Sequence, residues 1–427
     1  MTIEIPADHP LRRALIDEMH IRRLPAFQAP CLLAQLVVQS GEDGAEADRL
    51  HAEAICARLG VSTPAPGRYI CVRAGEVWFV WERHTECSTY AFIREGAFAR
   101  PFAFEHLAQA PAELLRDIPG EVVRATQIAV LGPEAPEPTA EALAESFSTG
   151  ELVACDLEGG ARIWSDFKLH GDRFGRLLIH DRGLVGGELA RLVQRLQELG
   201  NYRNMALLGL PVAQALTPKV TALETELARL AGAIASGEAE DEAMLHDLAG
   251  LSAQLATLTS ETRYRMAATQ AYATLSIERL RSLSVGRVAG FETLGDFNER
   301  RLAPAMRTCE SFSRRLEDLS QRAAWTSSML RTRIDTAMER QSRDLLASMN
   351  RRTDLQLRLQ QTVEGLSVVA VSYYVLGLAG YLLKPFTHAD PDLHALLIAG
   401  ATPVVLALAW IGLRRIRRSI EEPRREA

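Results

Sequence analysis

The chain has 427 residues, of which 24% are charged and 47% hydrophobic, and its formal net charge is -6. Length and composition exclude a wholly disordered polymer and leave room for two or three domains with cores of their own. The acidic balance gives no general footprint for nucleic acid, and no nucleic-acid partner is expected.

Six cysteines (Cys31, Cys56, Cys71, Cys87, Cys155 and Cys309) lie far apart with no Cys-x-x-Cys pair, which fits a reducing compartment. Only Lys168, Lys219 and Lys384 among the 48 basic residues are lysines, a bias that suggests a GC-rich bacterial genome rather than a function. The first residues carry no charged stretch followed by an apolar one, so no cleaved signal peptide is expected.

In chain order, short β-branched and aromatic runs predict strands at 31–38, 69–73, 77–82, 89–94, 122–130, 152–157, 162–169 and 176–179. Gly turns at Ala74-Gly75, Gly159-Gly160 and Gly171-Asp172 predict hairpins, hence a largely antiparallel sheet. Helices fit 45–59 and 139–147. After Gly183 the period turns helical, with stripes at Leu189, Leu192, Val193, Leu196, Leu199 and at Leu223, Leu227, Leu230, Ile234. Gly237 and the acidic run 238–242 read as a tight turn; a long helix follows over 242–284, and a second break falls at 286–295. Pro304 suits the first turn of a last helix that runs on without another proline to 383, roughly 120 Å at 1.5 Å per residue.

The expected class is α+β. A mixed, largely antiparallel sheet domain (1–183) precedes long antiparallel helices (184–303), a stalk helix (304–365), a two-helix transmembrane hairpin (366–413) and a basic cytoplasmic tail (414–427). The hairpin rests on two uncharged apolar runs, 366–383 and 395–413, each long enough at 1.5 Å per residue to cross a hydrocarbon core of roughly 30 Å. Arg351, Arg352 and Arg358 precede the pair; Arg414, Arg415, Arg417 and Arg418 follow it. The connecting loop holds Lys384, Asp390, Asp392 and two histidines. By the positive-inside rule both termini are cytoplasmic, at a bacterial inner membrane. A buried soluble hairpin is the alternative. Between Arg301 and Gln360, 12 arginines face 7 acidic residues, which reads as a solvated helix face near anionic lipid headgroups.

Several stretches carry a family resemblance over nearly the whole chain. They are His9-Pro10-Leu11 through Glu18, His20 and Arg22; Trp81-Glu82-Arg83-His84-Thr85-Glu86; Tyr202-Arg203 with Ala206-Leu207-Leu208-Gly209-Leu210-Pro211; Arg331-Thr332-Arg333; and 355–374. The chain resembles an uncharacterised bacterial family described as predicted membrane-anchored proteins. Its order of parts is also similar to that of CorA-type magnesium transporters. That likeness implies a homo-oligomeric divalent-cation channel, with magnesium as a candidate ion. In that family a Gly-Met-Asn signature ends the first span; here the place reads Gly380-Tyr381-Leu382.

For chemistry, Glu82, His84 and Glu86 alternate along a strand, which would place a divalent-metal ligand set on one face at about 7 Å per pair of residues. A salt-bridged structural cluster with Arg83 is the alternative. His9, His20 and Glu18 form a second polar group near the start. In the first apolar run, Ser367, Ser372, Tyr373 and Tyr381 are pore-lining candidates, or else helix-packing residues. No nucleophile elbow, Walker loop, dinucleotide fingerprint or zinc-protease pair is present, so no enzyme is expected. The function expected first is the CorA-like oligomeric divalent-cation channel or transporter; the alternative is a membrane-tethered scaffold or sensor whose cytoplasmic domain binds a protein or small ligand.

Overall fold

The computed structural model describes residues 8–13, 15–16, 24–41, 43–64, 67–102, 115–148, 150–157, 159–185, 187–237, 240–384 and 391–421. The chain divides into two units, residues 1–327 and 328–427. In the first, nine strands form one sheet: β1 (Cys31–Gln39), β2 (Tyr69–Ala74), β3 (Val77–Arg83), β4 (Cys87–Glu95), β5 (Glu121–Leu131), β6 (Val153–Leu157), β7 (Ala161–Ser165), β8 (Gly175–Asp181) and β9 (Val285–Arg287). Their spatial order is β2-β3-β4-β1-β5-β8-β7-β6-β9. Of these strands only β5 and β8 pair in parallel; the other neighbours are antiparallel.

β1 shows why a sheet forms here. Its first eight residues are all buried, so it is a central strand covered on both faces. On one face α1 (Ala45–Arg58) and α2 (Ala140–Ser146) lay Ala52, Ile55, Cys56 and Leu143 against Phe79, Trp81, Tyr90 and Phe92. On the other, α3 (Glu188–Leu207) sets the predicted stripe of Leu189, Leu192, Val193, Leu196 and Leu199 on Cys31, Leu33, Ile128, Val130 and Ile179. Each such leucine contributes about 1.5–3 kcal/mol by leaving water. A buried ion pair ties α1 to the sheet: Asp48 Oδ2 accepts from Arg83 Nη1 at 2.6 Å, Ser40 Oγ at 2.5 Å and Ser88 Oγ at 2.6 Å.

Beyond the sheet run α4 (Gly209–Ser236), α5 (Asp241–Arg281), α6 (Leu294–Leu383) and α7 (Pro391–Glu421). Gly237 closes α4 in the left-handed region at φ 70°, as the predicted turn requires.

Three expectations need correction. The predicted strand 162–169 stops at Ser165, because Phe167 adopts φ 50° and turns the chain out of the sheet. The expected break at 286–295 begins inside a strand, β9, which pairs Val285 with Leu157 and Arg287 with Cys155. Pro304 lies inside α6 rather than in its first turn. The helix starts earlier because Thr293 and Asp296 form a capping box: Asp296 N donates to Thr293 Oγ1 at 3.0 Å and Thr293 N to Asp296 Oδ2 at 3.4 Å.

Among the described residues, three helical stretches are long and apolar enough to cross a membrane: Glu188–Ser236, Leu294–Leu382 and Ala395–Gly412. The first supplies core side chains to the sheet. The apolar ends of the other two lie in the second unit. There Val369, Leu378, Leu396 and Leu408 are all more than half exposed. Within that unit, a Cβ built on Gly380 would lie 3.3 Å from Ile398 Cδ1, so α6 and α7 approach closely at this level.

Candidate functional site

Arg124 is a charge set in an apolar strand. Opposite β1, Val37 pairs with Arg124 and Val38 with Val122, which leaves Val123 as a β-bulge. The Val123 carbonyl accepts a long 3.5 Å bond from Asn204 Nδ2 of α3. Past the bulge, Arg124 reaches α3. Its Nη1 donates to Gln197 Oε1 at 2.6 Å and to Asn201 Oδ1 at 2.8 Å, with Gln35 Oε1 of β1 at 3.5 Å. Asn201 Nδ2 donates to the same Gln35 oxygen at 3.2 Å. Gly200 makes room for this: a Cβ there would fall 2.7 Å from the Arg124 Cζ and Nη2 and 2.8 Å from Nε.

Arg203 follows one helical turn later. It is buried, and its guanidinium stacks on Phe167 at 4.5 Å, a ring that itself stacks on Phe297 at 4.3 Å. Its Nη1 is buried and has no hydrogen-bond partner among the described residues. Nor does any carboxylate among them pair with Arg124 or Arg203. Burial pulls the Arg124 guanidinium well below the usual arginine range, to about 9, and the neighbouring Arg203 charge pushes the same way. Burial lowers Arg203 to about 10. Both stay protonated at neutral pH.

The two arginines line one cavity of about 510 Å³ between the sheet, α3 and the β7–β8 loop. That loop is braced from inside. Asp166 accepts from Ser148 N at 2.9 Å and Lys168 N at 3.2 Å and pairs with His170, while Arg173 N donates to the His170 carbonyl at 2.8 Å. Phe167, Lys168 and Arg173 are thereby presented to the cavity. Its remaining walls are largely apolar and include Leu36, Leu177, Leu196 and Leu199. A half-buried and a buried cation that face a common space, with no carboxylate among the described residues paired to either, are suited to receive an anion.

The sequence-predicted ligands are arranged differently. Strand β3 ends at Arg83, so Glu82, His84 and Glu86 do not continue along one face. Glu82 and His84 meet at 3.7 Å and line a second cavity of about 240 Å³, also beside α3. Glu86 is buried elsewhere, where both terminal nitrogens of Arg265 on α5 donate to its carboxylate. Among the described residues, no group of three His, Cys, Asp or Glu side chains is placed to hold a metal ion. His9 is exposed, with Nδ1 accepting from Leu11 N at 3.2 Å; Glu18 and His20 lie outside the described residues.

On α6, the Ser372 side chain is buried and its hydroxyl donates to the Val368 carbonyl at 2.7 Å, while Ser367 Oγ donates to the Val363 carbonyl at 3.0 Å. Tyr373 and Tyr381 are about three-quarters exposed. Arg351 and Arg352 are exposed on α6, and Arg414 and Arg415 on α7, where Arg414 sits over the Trp410 ring at 4.8 Å. Arg417 and Arg418 belong to α7, with side chains outside the described residues.

Sequence reasoning missed the arginine pair. A charge amid apolar strand residues (Val122-Val123-Arg124-Ala125) and Arg203 at the end of an apolar helical stripe were the available signals. Strand alternation alone could not tell which face Arg124 occupies, because the bulge shifts it.

Residues 7–420 match a family model described as protein of unknown function (DUF3422), and the chain belongs to that family. No curated protein matches it.

Proposed function

We propose that this member of the DUF3422 family is a membrane-tethered sensor or scaffold whose N-terminal α/β domain binds a small ligand in the cavity beside α3. The observation that carries this reading is Arg203: a buried guanidinium with an unpartnered nitrogen lines a cavity of about 510 Å³. An unsatisfied buried donor costs about 1–3 kcal/mol, more for a charged group, and a bound partner recovers that cost. Binding sites of this size are concave, mostly apolar and carry a few convergent polar groups.

The tether is the apolar C-terminal part of α6 together with α7. Their exposed Val, Leu and Tyr side chains are unfavourable in water and suited to lipid. Arg351, Arg352, Arg414, Arg415, Arg417 and Arg418 would hold both outer ends on the cytoplasmic side of a bacterial inner membrane. The CorA-like oligomeric channel shares this topology, but no particular side-chain arrangement among the described residues favours it. The Ser372 hydroxyl is already committed to its own helix.

Two measurements test the proposal. The full chain should float with lipid vesicles in a density gradient, and recovery in the pellet would remove the tether. In a thermal-shift screen of small metabolites, at least one compound should stabilise the full chain and lose that effect in Val122→Trp. Val122 is half exposed at the cavity rim, so the substitution obstructs the cavity without entering the core. A screen in which no stabilising compound is sensitive to Val122→Trp refutes ligand binding there.

A further inference from the structure

We infer that the cavity beside α3 takes a small amphiphilic anion, with its oxyanion head between Arg124 and Arg203 and its apolar body against Leu177, Leu196 and Leu199. This assignment rests on the ligand-binding reading above and names the chemical class of the ligand. The charge lining the cavity is one-sided. Among the described residues, Arg124, Lys168, Arg173, Arg176 and Arg203 face it, against a single acidic residue, Asp172. Asp172 is already engaged, since it accepts from Phe174 N at 3.0 Å and pairs with Arg176 at 3.5 Å. A metal cation or a protonated amine would therefore meet repulsion, whereas an anion relieves it.

The head is assigned from donor geometry. Arg124 spends Nη1 on Gln197 and Asn201, and no hydrogen bond from the described residues occupies its Nε or Nη2. Arg203 brings a fork whose buried Nη1 has no hydrogen-bond partner among the described residues, and its stacking on Phe167 fixes the plane of that fork. Two guanidinium groups held in this way match the oxygens of a carboxylate or a phosphate monoester, which accept charge-assisted bonds from paired N–H groups. The lowered proton affinity of both arginines supports the same conclusion, because an anion would restore what burial has removed.

The body is assigned from size and lining. A cavity of about 510 Å³ is far larger than a lone oxyanion needs, and Leu177, Leu196 and Leu199 are nearly fully buried along it. An inorganic ion would leave those walls facing water; an aryl or alkyl group would cover them. Gly200 is the positioning residue. Its missing side chain lets the Arg124 guanidinium lie against α3, and Arg203 stands three residues on, over the same face.

The test is calorimetric titration of the full-length protein in detergent with phenyl phosphate, phenylacetate, inorganic phosphate and benzyl alcohol. One of the two aryl anions should saturate a single site per chain, and whichever binds tighter identifies a phosphate or a carboxylate head. Benzyl alcohol and inorganic phosphate should bind at least about tenfold more weakly, since each lacks one half of the recognised pattern. Arg124→Met and Arg203→Gln should each weaken the preferred anion by about tenfold or more. Gly200→Ala keeps both arginines and should still weaken it by about threefold or more, so the inference stays testable if an arginine variant fails to fold. Benzyl alcohol binding as tightly as the anions would overturn the anion while leaving a ligand-binding cavity. Inorganic phosphate binding as tightly as phenyl phosphate would overturn the apolar body. Unchanged affinity in the folded arginine variants, or no heat from either aryl anion at millimolar concentration, would overturn the whole assignment.

Discussion

Gly200→Ala is a substitution whose sign the structure decides. In an exposed helix interior, replacing Gly by Ala stabilises by roughly 0.5–1 kcal/mol, because the unfolded chain loses freedom and the helix gains a good former. Gly232 on α4, where an added Cβ would meet nothing within 4 Å, should show that gain. At Gly200 the new methyl would stand 2.7 Å from the Arg124 Cζ, well inside ordinary contact, so the guanidinium must move by several tenths of an ångström. That movement strains its 2.6 Å and 2.8 Å bonds to Gln197 and Asn201. Hydrogen bonds to a charged group are worth about 1.5–3 kcal/mol each. Loss of one, set against the helical gain, leaves a net destabilisation of about 1–2 kcal/mol. Urea unfolding of both variants, followed by the fluorescence of buried Trp81 and Trp164, measures the difference. Equal stabilisation by the two substitutions would show that Arg124 does not lie against α3.

Three further outcomes follow from the rest of the molecule. Glu86→Gln neutralises a buried carboxylate that the half-buried Arg265 holds, and should cost about 1.5–3 kcal/mol in the same assay, against a negligible cost if the pair were exposed. The Glu224 carboxyl is held below its ordinary 4.5 by the hydrogen bond from Arg315. A depressed carboxylate stabilises above its unfolded value and loses that contribution as pH falls through the folded value. The deficit of Arg315→Ala should therefore be full at pH 7 and shrink below about pH 4.5 in urea titrations; a deficit that does not change with pH contradicts the pairing. Burial raises the Cys31, Cys87 and Cys155 thiols, the last two to about 12. Alkylation with iodoacetamide, read by mass spectrometry, should spare all three in native protein and reach them in urea; rapid native labelling of Cys155 contradicts its burial.

Much of the sheet was legible because its signals are local. The apolar run of β1 and the two-residue turn at Gly75 between β2 and β3 each declare themselves within a few residues. The stripe on α3 did so over three turns. β9 escaped because three residues containing a glycine have no period, and only their pairing with β6 makes them a strand. The start of α6 escaped for another reason: Pro304 was the more conspicuous signal, while Thr293-Leu294-Gly295-Asp296 carried the capping box. The site was the least legible part. Glu82, His84 and Glu86 looked like a set by alternation, but the chain turns after Arg83 and sends Glu86 to an arginine 179 residues away. Arg124 and Arg203 come to line one cavity only through a bulge, a helix docked on a sheet and a glycine against Arg124. None of these can be read from spacing.

The most direct measurement is the melting temperature of the full-length protein as phenyl phosphate and, separately, phenylacetate are titrated, for wild type and for the Arg124→Met/Arg203→Gln variant. A ligand bound only by the folded state at about a hundred times its Kd adds roughly 2.7 kcal/mol. With at least one of the two anions the wild-type transition should therefore climb steadily with the logarithm of concentration, and the variant, folded by circular dichroism, should stay level. Parallel rises in both proteins, or a wild type that stays level with both anions, would contradict a binding site built on Arg124 and Arg203.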